Sequence, residues 1–134
     1  MIVLEVPGQP VPQPRPRVTR KGWAYYEARH PIHAYRAAIA AAANGARIEG
    51  PVAFRLDVVI QRPKSHWRKH DLKPSAPLWP PGDFDNYEKG VADTLKKCGV
   101  FGDDVQIVQW GGSKRWAARN EAGRTTITLD KAIQ

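Results

Sequence analysis

The sequence predicts an α+β domain in which a mixed sheet packs against two helices. Three observations predict this class: two segments with helical periodicity, four segments with strand character, and a hydrophobic content of 42% over 134 residues. The order of these segments is strand, helix, strand, helix, strand, strand. Because no internal repeat or separate linker is visible, we expect residues 1–134 to form one domain with a single core.

The first strand covers residues 2–6 and is followed by a proline-rich basic arm, residues 7–21. Proline excludes a helix or an interior strand here, and it holds the backbone extended. Arg15, Arg17 and Arg20 would therefore project from a stiff segment. The arm is either a solvated connector or a contact for DNA phosphates, and these three arginines are candidate DNA contacts.

The first helix and the longest strand follow. Residues 31–43 are rich in alanine after a proline suited to a first helical turn, and Asn44 is a typical helix terminator. Residues 52–60 alternate in the way expected of a strand with one strongly apolar face. Asp57 lies on the opposite face, and we expect it to be a structural residue paired with Arg55 or another base.

Residues 62–82 form a long basic loop without helical or strand periodicity. A loop of this length inside a small domain is usually functional or mobile. Basic side chains interleaved with Trp67 suit nucleic acid, since cations bind phosphates and an aromatic face stacks on an exposed base. A mobile, solvated loop is the alternative. The candidate DNA contacts in the loop are Lys64, Arg68, Lys69 and Lys73.

The second helix is predicted from Asn86 to Cys98, with Gly99 as its terminator. Its apolar residues have the spacing of a helix that buries one face. Strands over residues 105–110 and 125–129 complete the sheet, and the glycine pair at 111–112 allows a bend in the first of them.

Two carboxylates, Asp83 and Asp85, lie directly before this helix, and a third, Asp104, lies before the next strand. Phosphodiester cleavage needs charge stabilisation, an activated water and help for the leaving oxygen, all of which a hard divalent cation supplies. Mg²⁺ prefers oxygen ligands, and Mn²⁺ is a possible substitute. Asp104 can share such a cation only if the strand that it opens returns beside the start of the helix.

Lys89 follows Asp85 by one helical turn, so it could bind the scissile phosphate or stabilise the leaving oxygen. Purely structural interpretations remain open for all of these residues. Asp85, Lys89 and Asp93 could form a ladder of ion pairs along the helix. Asp85 with Glu88 makes a good capping box, and the acidic pair at 103–104 is a common turn composition.

Composition and charge limit the possible partners. The formal charge of +8 favours a polyanionic partner, because clustered cations release phosphate counterions. The single Cys98 excludes an internal disulfide framework and a cysteine-based zinc site. No apolar run approaches the ~20 residues of a membrane span, and the first residues do not have the pattern of a targeting segment. We therefore expect a cytoplasmic, nucleoid-associated protein with no membrane partner.

Two motifs together resemble a known family. The first is Asp83-Phe84-Asp85-Asn86 followed by Lys89, and the second is residues 100–108, Val-Phe-Gly-Asp-Asp-Val-Gln-Ile-Val. Their sequence and spacing resemble the RusA family of Holliday junction resolvases. The arm resembles the same family at Pro7-Gly8 and at residues 14–17, and Lys114 falls where members often carry a basic residue. The resemblance covers nearly the whole chain.

The resemblance implies a function and a set of site residues. Asp83, Asp85 and Asp104 would bind Mg²⁺, and Lys89 would be the catalytic lysine. The protein would be a homodimer that makes paired symmetric nicks at four-way DNA junctions, with Lys114 among its DNA contacts.

Three other functions remain open. The protein could be a less selective metal-dependent nuclease that cuts branched or flap DNA. It could be a non-catalytic basic nucleic-acid-binding protein, in which the acids only cap helices. It could also be an interaction protein whose basic surface meets an acidic protein.

Overall fold

The computed structural model describes residues 1–133, and its elements have the predicted α+β character. The strands are β1 (Ile2–Pro7), β2 (Arg17–Val18), β3 (Ala24–Tyr25), β4 (Val52–Ile60), β5 (Ile107–Trp116) and β6 (Arg124–Lys131). The helices are α1 (Ile32–Ala43) and α2 (Phe84–Lys97), and short 3₁₀ turns cover Lys64–His66 and Asp104–Gln106. Two helices and a mixed four-stranded sheet confirm the predicted fold class.

The sheet has the strand order β1-β6-β4-β5, with β4 and β5 parallel and the other neighbours antiparallel. A parallel pair requires a crossover connection, and here the connection contains α2. Because Ile60 is the register partner of Trp116, both strands end at the same end of the sheet. β5 is an edge strand, so one side of its backbone pairs with β4 and the other side has no strand beside it in residues 1–133.

The core lies between the sheet and the two helices. α1 buries Ile32, Tyr35, Ile39 and Ala43, and α2 buries chiefly Tyr87, Val91 and Leu95. These side chains belong to one buried cluster with the apolar face of β4, whose predicted bounds are confirmed. On the opposite face Arg55 Nε donates to Asp57 at 2.9 Å, which confirms the structural role expected for Asp57.

Three features differ from the sequence prediction. Residues 17–25 form a small hairpin, β2–β3, inside and just beyond the arm. α2 begins at Phe84, two residues before the predicted start. Asp83 has an extended backbone and is the N-cap residue of the helix. β5 runs on through the glycine pair to Trp116 instead of ending there with a bend. Within residues 1–133, no helix combines the length and the apolar character needed to cross a membrane.

Candidate active site

The start of α2 presents two exposed carboxylates. Gly82 has a φ of +87°, which redirects the chain into the extended residue Asp83, and Asp85 lies in the first helical turn. The predicted capping box of Asp85 and Glu88 is wrong, because Asp83 occupies the cap position and its side chain makes no capping hydrogen bond. Helix capping therefore does not account for these carboxylates.

A shallow cavity of about 330 Å³ lies beside this helix start, lined by Asp85, Glu88, Lys89 and Trp110. Partial burial, with a smaller effect from the negative charge of Asp85, raises the pKa of the Glu88 carboxyl above its usual value. Trp110 reaches the cavity from β5 and is 47% exposed. Sequence analysis missed Trp110 as a site residue, because nothing in a strand pattern shows which helix an edge residue will face.

Lys89 is exposed and has no ion-pair partner within residues 1–133. The alternative of a ladder from Asp85 through Lys89 to Asp93 is wrong, because Asp93 pairs with Lys97 at 3.1 Å instead. The ammonium of Lys89 is therefore available to a ligand in the cavity.

The carboxylates of the candidate site are not neutralised by the protein, although the chain is strongly basic. Of the thirteen Asp and Glu residues, eight make an ion pair within the described part of the chain. The five that do not are Glu5, Asp83, Asp85, Glu88 and Asp104. Three of these five, Asp83, Asp85 and Asp104, are the residues that the resemblance implies as metal ligands, and their uncompensated charge suits a divalent cation.

Asp104 lies at the opposite end of α2. Its neighbour Asp103 caps the 3₁₀ turn and approaches Lys96, in the last helical turn, at 3.8 Å. A hydrogen bond between the two neighbouring carboxyls lowers the pKa of Asp103 and raises that of Asp104. The fourteen residues of α2 extend about 20 Å, which separates this pair from Asp83 and Asp85. Accordingly, residues 1–133 contain no group of three acidic, histidine or cysteine side chains that could hold a metal ion.

β5 does return beside the start of α2, but with its far end. Lys114 Nζ donates to the carbonyl oxygens of Pro80, at 3.1 Å, and of Gly82. Tyr87 Oη donates to the carbonyl oxygen of Pro81 at 3.1 Å. The ammonium of Lys114 thus fixes the backbone directly before Asp83, a role that its sequence position did not suggest.

The arm is held against the same end of the molecule. Gln9 and Gln61 exchange two hydrogen bonds, and Gln13 N donates to the carbonyl oxygen of Asn86 at 3.1 Å. Arg17 pairs with Glu27 at 2.6 Å, whereas Arg15 and Arg20 are exposed without an ion pair among residues 1–133. The arm is therefore anchored beside the first turn of α2.

The basic loop is braced by contacts of its own side chains and by Arg119, which lies between β5 and β6. Arg68 forms a two-point ion pair with Asp71, and Arg119 stacks over Trp67 with its guanidinium carbon 5.1 Å from the ring centre. These contacts argue against a merely solvated loop. Three predicted DNA contacts, Lys64, Lys69 and Lys73, are exposed and make no ion pair in the described part of the chain.

A family model described as Endodeoxyribonuclease RusA matches residues 7–130. The chain belongs to this family. Members of the RusA family are endodeoxyribonucleases, that is, hydrolases of DNA phosphodiester bonds, and the family acts on branched DNA junctions with a metal dependence. The resemblance seen in the sequence is therefore confirmed. No curated protein matches the chain.

The RusA match includes every part of the candidate site. It begins with the arm at residue 7, contains the basic loop and α2, and ends at residue 130 near the end of β6. Both groups of carboxylates, at the two ends of α2, lie within it. The two groups lie about 20 Å apart along one helix, so they are too far apart within one chain to bind the same metal ion.

Proposed function

We propose that this protein is a Mg²⁺-dependent endodeoxyribonuclease that resolves four-way DNA junctions by paired symmetric nicks, in DNA recombination and repair. The observation that carries the proposal is the set of carboxylates beside Lys89, none of which makes an ion pair within residues 1–133, in a RusA-family chain of charge +8. These carboxylates would repel the phosphate groups of DNA. A cation bound between the carboxylates and a phosphate removes that repulsion. Its DNA substrate would bring the protein to the nucleoid.

Asp83 and Asp85 would hold the cation through their oxygen atoms, which are the ligands that Mg²⁺ prefers. When bound, Mg²⁺ or Mn²⁺ supplies polarisation of the scissile phosphate and activation of a water nucleophile. Lys89, on the same face of the helix one turn after Asp85, would bind a phosphate oxygen and stabilise the charge that develops there. Glu88, partly buried in the same cavity, would keep the remaining side of the site polar.

We propose further that the protein is a homodimer and that each active site uses both copies. β5 is a ten-residue edge strand whose outer side pairs with no strand of the described residues, and its exposed large apolar side chains are Val108 and Trp110. The unpaired backbone groups of an exposed edge strand are a template for pairing with another chain. In an antiparallel two-fold pair, the beginning of one strand lies near the end of the other.

This pairing would solve the geometric problem of the third carboxylate. A two-fold axis near Gln109 would place Val108 of one copy opposite Trp110 of the other, and Asp104 level with Lys114 of the second copy. Lys114 touches the backbone before Asp83. Asp104 would thus reach the metal-binding pair of the second copy, and two such sites would suit two symmetric nicks.

The carboxylates can be tested one at a time. We expect Asp83→Asn, Asp85→Asn and Asp104→Asn each to slow nicking of a synthetic four-way junction in Mg²⁺ by about a thousandfold or more, because each removes a charged metal ligand. Junction binding should be retained or tighter, since repulsion of the phosphates is reduced. Nicking is followed on labelled junction, flap and duplex DNA, with Mg²⁺ and with EDTA. Undiminished cleavage by Asp83→Asn and Asp104→Asn would exclude this mechanism.

Lys114→Met tests the positioning of Asp83. Losing the two carbonyl contacts should loosen the backbone before Asp83, so we expect a higher Mg²⁺ concentration for half-maximal nicking and about tenfold lower maximal nicking. Junction affinity measured in EDTA should change little. Lys64→Met is the contrasting variant: Lys64 is an exposed candidate DNA contact without an ion pair within residues 1–133, so its loss should weaken junction binding and leave the Mg²⁺ dependence unchanged. A loss of junction affinity with normal Mg²⁺ dependence would instead make Lys114 a phosphate contact.

A further inference from the structure

Two large apolar side chains project into solvent just before the candidate site. Leu78 is 83% exposed and Trp79 is 74% exposed, and they are adjacent in the chain. A Trp and a Leu side by side in solvent leave unburied a large apolar area, whose removal from water is favourable at about 25 cal/mol per Å². Single exposed apolar residues are ordinary, whereas an exposed apolar pair beside a candidate site is a candidate contact surface.

The backbone on both sides of the pair is fixed. Arg62 Nη1 donates to the carbonyl oxygen of Pro77 at 2.9 Å, directly before Leu78. Lys114 donates to the carbonyl oxygen of Pro80, directly after Trp79, and to that of Gly82.

Pro80 itself is buried, which adds an apolar anchor next to the exposed Trp79. Tyr87 of α2 holds the carbonyl oxygen of the next residue, Pro81. The four anchored carbonyls are held by side chains from the loop, from β5 and from α2. The side chains of Leu78 and Trp79 therefore project from a segment whose backbone is held by hydrogen bonds on both sides.

The surroundings of the pair are those of a DNA contact. Trp79 precedes Asp83 by four residues, so the two lie within about 14 Å of each other. The loop of residues 62–82 contains five Lys and Arg residues and one Asp. The core of a protein interface is depleted in charge, so this cationic setting favours a polyanion over a second copy of the chain.

We propose that Leu78 and Trp79 form an apolar wedge that contacts unstacked bases at the branch point of the DNA substrate. This inference rests on the proposed function and specifies how the same site selects its substrate. A wedge of this kind inserts between base steps, and an aromatic ring stacks on any exposed base. Intact duplex has no exposed base face, whereas the steps at a branch point open at lower cost. The wedge therefore favours branched over duplex DNA at the position of the metal site.

The test uses four-way junctions with the fluorescent adenine analogue 2-aminopurine at the branch point, in EDTA so that no cleavage occurs. We expect the wild-type protein to raise the fluorescence as bases unstack. The variant Leu78→Ala/Trp79→Ala should lose this rise and bind the junction about tenfold more weakly, with unchanged affinity for duplex. Trp23→Ala is the control, because Trp23 is equally exposed, at 73%, in the turn between β2 and β3. It should keep the fluorescence rise at saturating protein.

The possible failures are distinguishable. If the double variant unstacks the bases as the wild type does, the wedge is excluded while the proposed nuclease function stands. If the double variant sediments as a monomer where the wild type is a dimer, the pair belongs to a protein interface and the wedge is likewise excluded. If the wild type shows no preference for the junction over duplex, both the wedge and the proposed function fail.

Discussion

Mixing Asp85→Asn chains with Asp104→Asn chains is expected to restore nicking that neither variant has alone. If each site takes Asp83 and Asp85 from one copy and Asp104 from the other, a mixed dimer carries both substitutions in one site and none in the other. With random assortment, half of the dimers are mixed and about one quarter of the wild-type sites are restored. The measurement is single-strand nicking of a labelled four-way junction after the two variants are unfolded and refolded together.

A second mixture provides the matched control. Asp83→Asn and Asp85→Asn alter the same half of the proposed site, so every site in their mixed dimer contains one substitution and no activity should return. Restoration in the first mixture but not in the second would establish that the site is shared between copies. Inactivity of both mixtures, with mixed dimers demonstrated by tagged chains, would mean that Asp104 acts within its own chain or not at all.

Local sequence patterns predicted the helices and strands well. The features that they failed to predict depend on the backbone angles and contacts of the folded chain. The alternation over residues 52–60 predicts β4 residue for residue, since one buried face imposes the period. The same kind of local argument placed a capping box at Asp85, but a capping box forms instead at Asp103 with Gln106. Capping depends on the backbone angles of one residue, and composition does not determine them.

The candidate site shows the same limit more clearly. The sequence identified the acids by type and spacing. It could not show that Asp104 begins the 3₁₀ turn before β5, whereas Lys114, near the end of β5, meets the start of α2. Composition also could not show which basic side chains are held in ion pairs within the protein and which are free to bind DNA. Arg17 and Arg68 are occupied by Glu27 and Asp71, contacts that need the folded chain to be seen.

One glycine of the pair in β5 allows that strand to lie close to β4, a role that the sequence did not predict. The sequence allowed a bend there, whereas the strand continues and Gly112 lies against the backbone of β4. A Cβ on Gly112 would lie 1.8 Å from the carbonyl oxygen of Leu56, and its φ is +142°. A Cβ on Gly111 would have no atom within 4 Å. The two neighbours therefore offer a matched comparison.

Gly112→Ala is expected to lower the free energy of unfolding by about 3 kcal/mol or more, because the clash is with backbone and cannot be relieved by a side-chain rotation. Gly111→Ala should change it by less than about 1 kcal/mol. Urea unfolding followed by tryptophan fluorescence measures both. Because Trp110 and Lys114 flank this pair, a folded Gly112→Ala protein should also nick more slowly than Gly111→Ala at saturating Mg²⁺. Equal stability of the two variants would mean that β4 and β5 do not approach each other this closely.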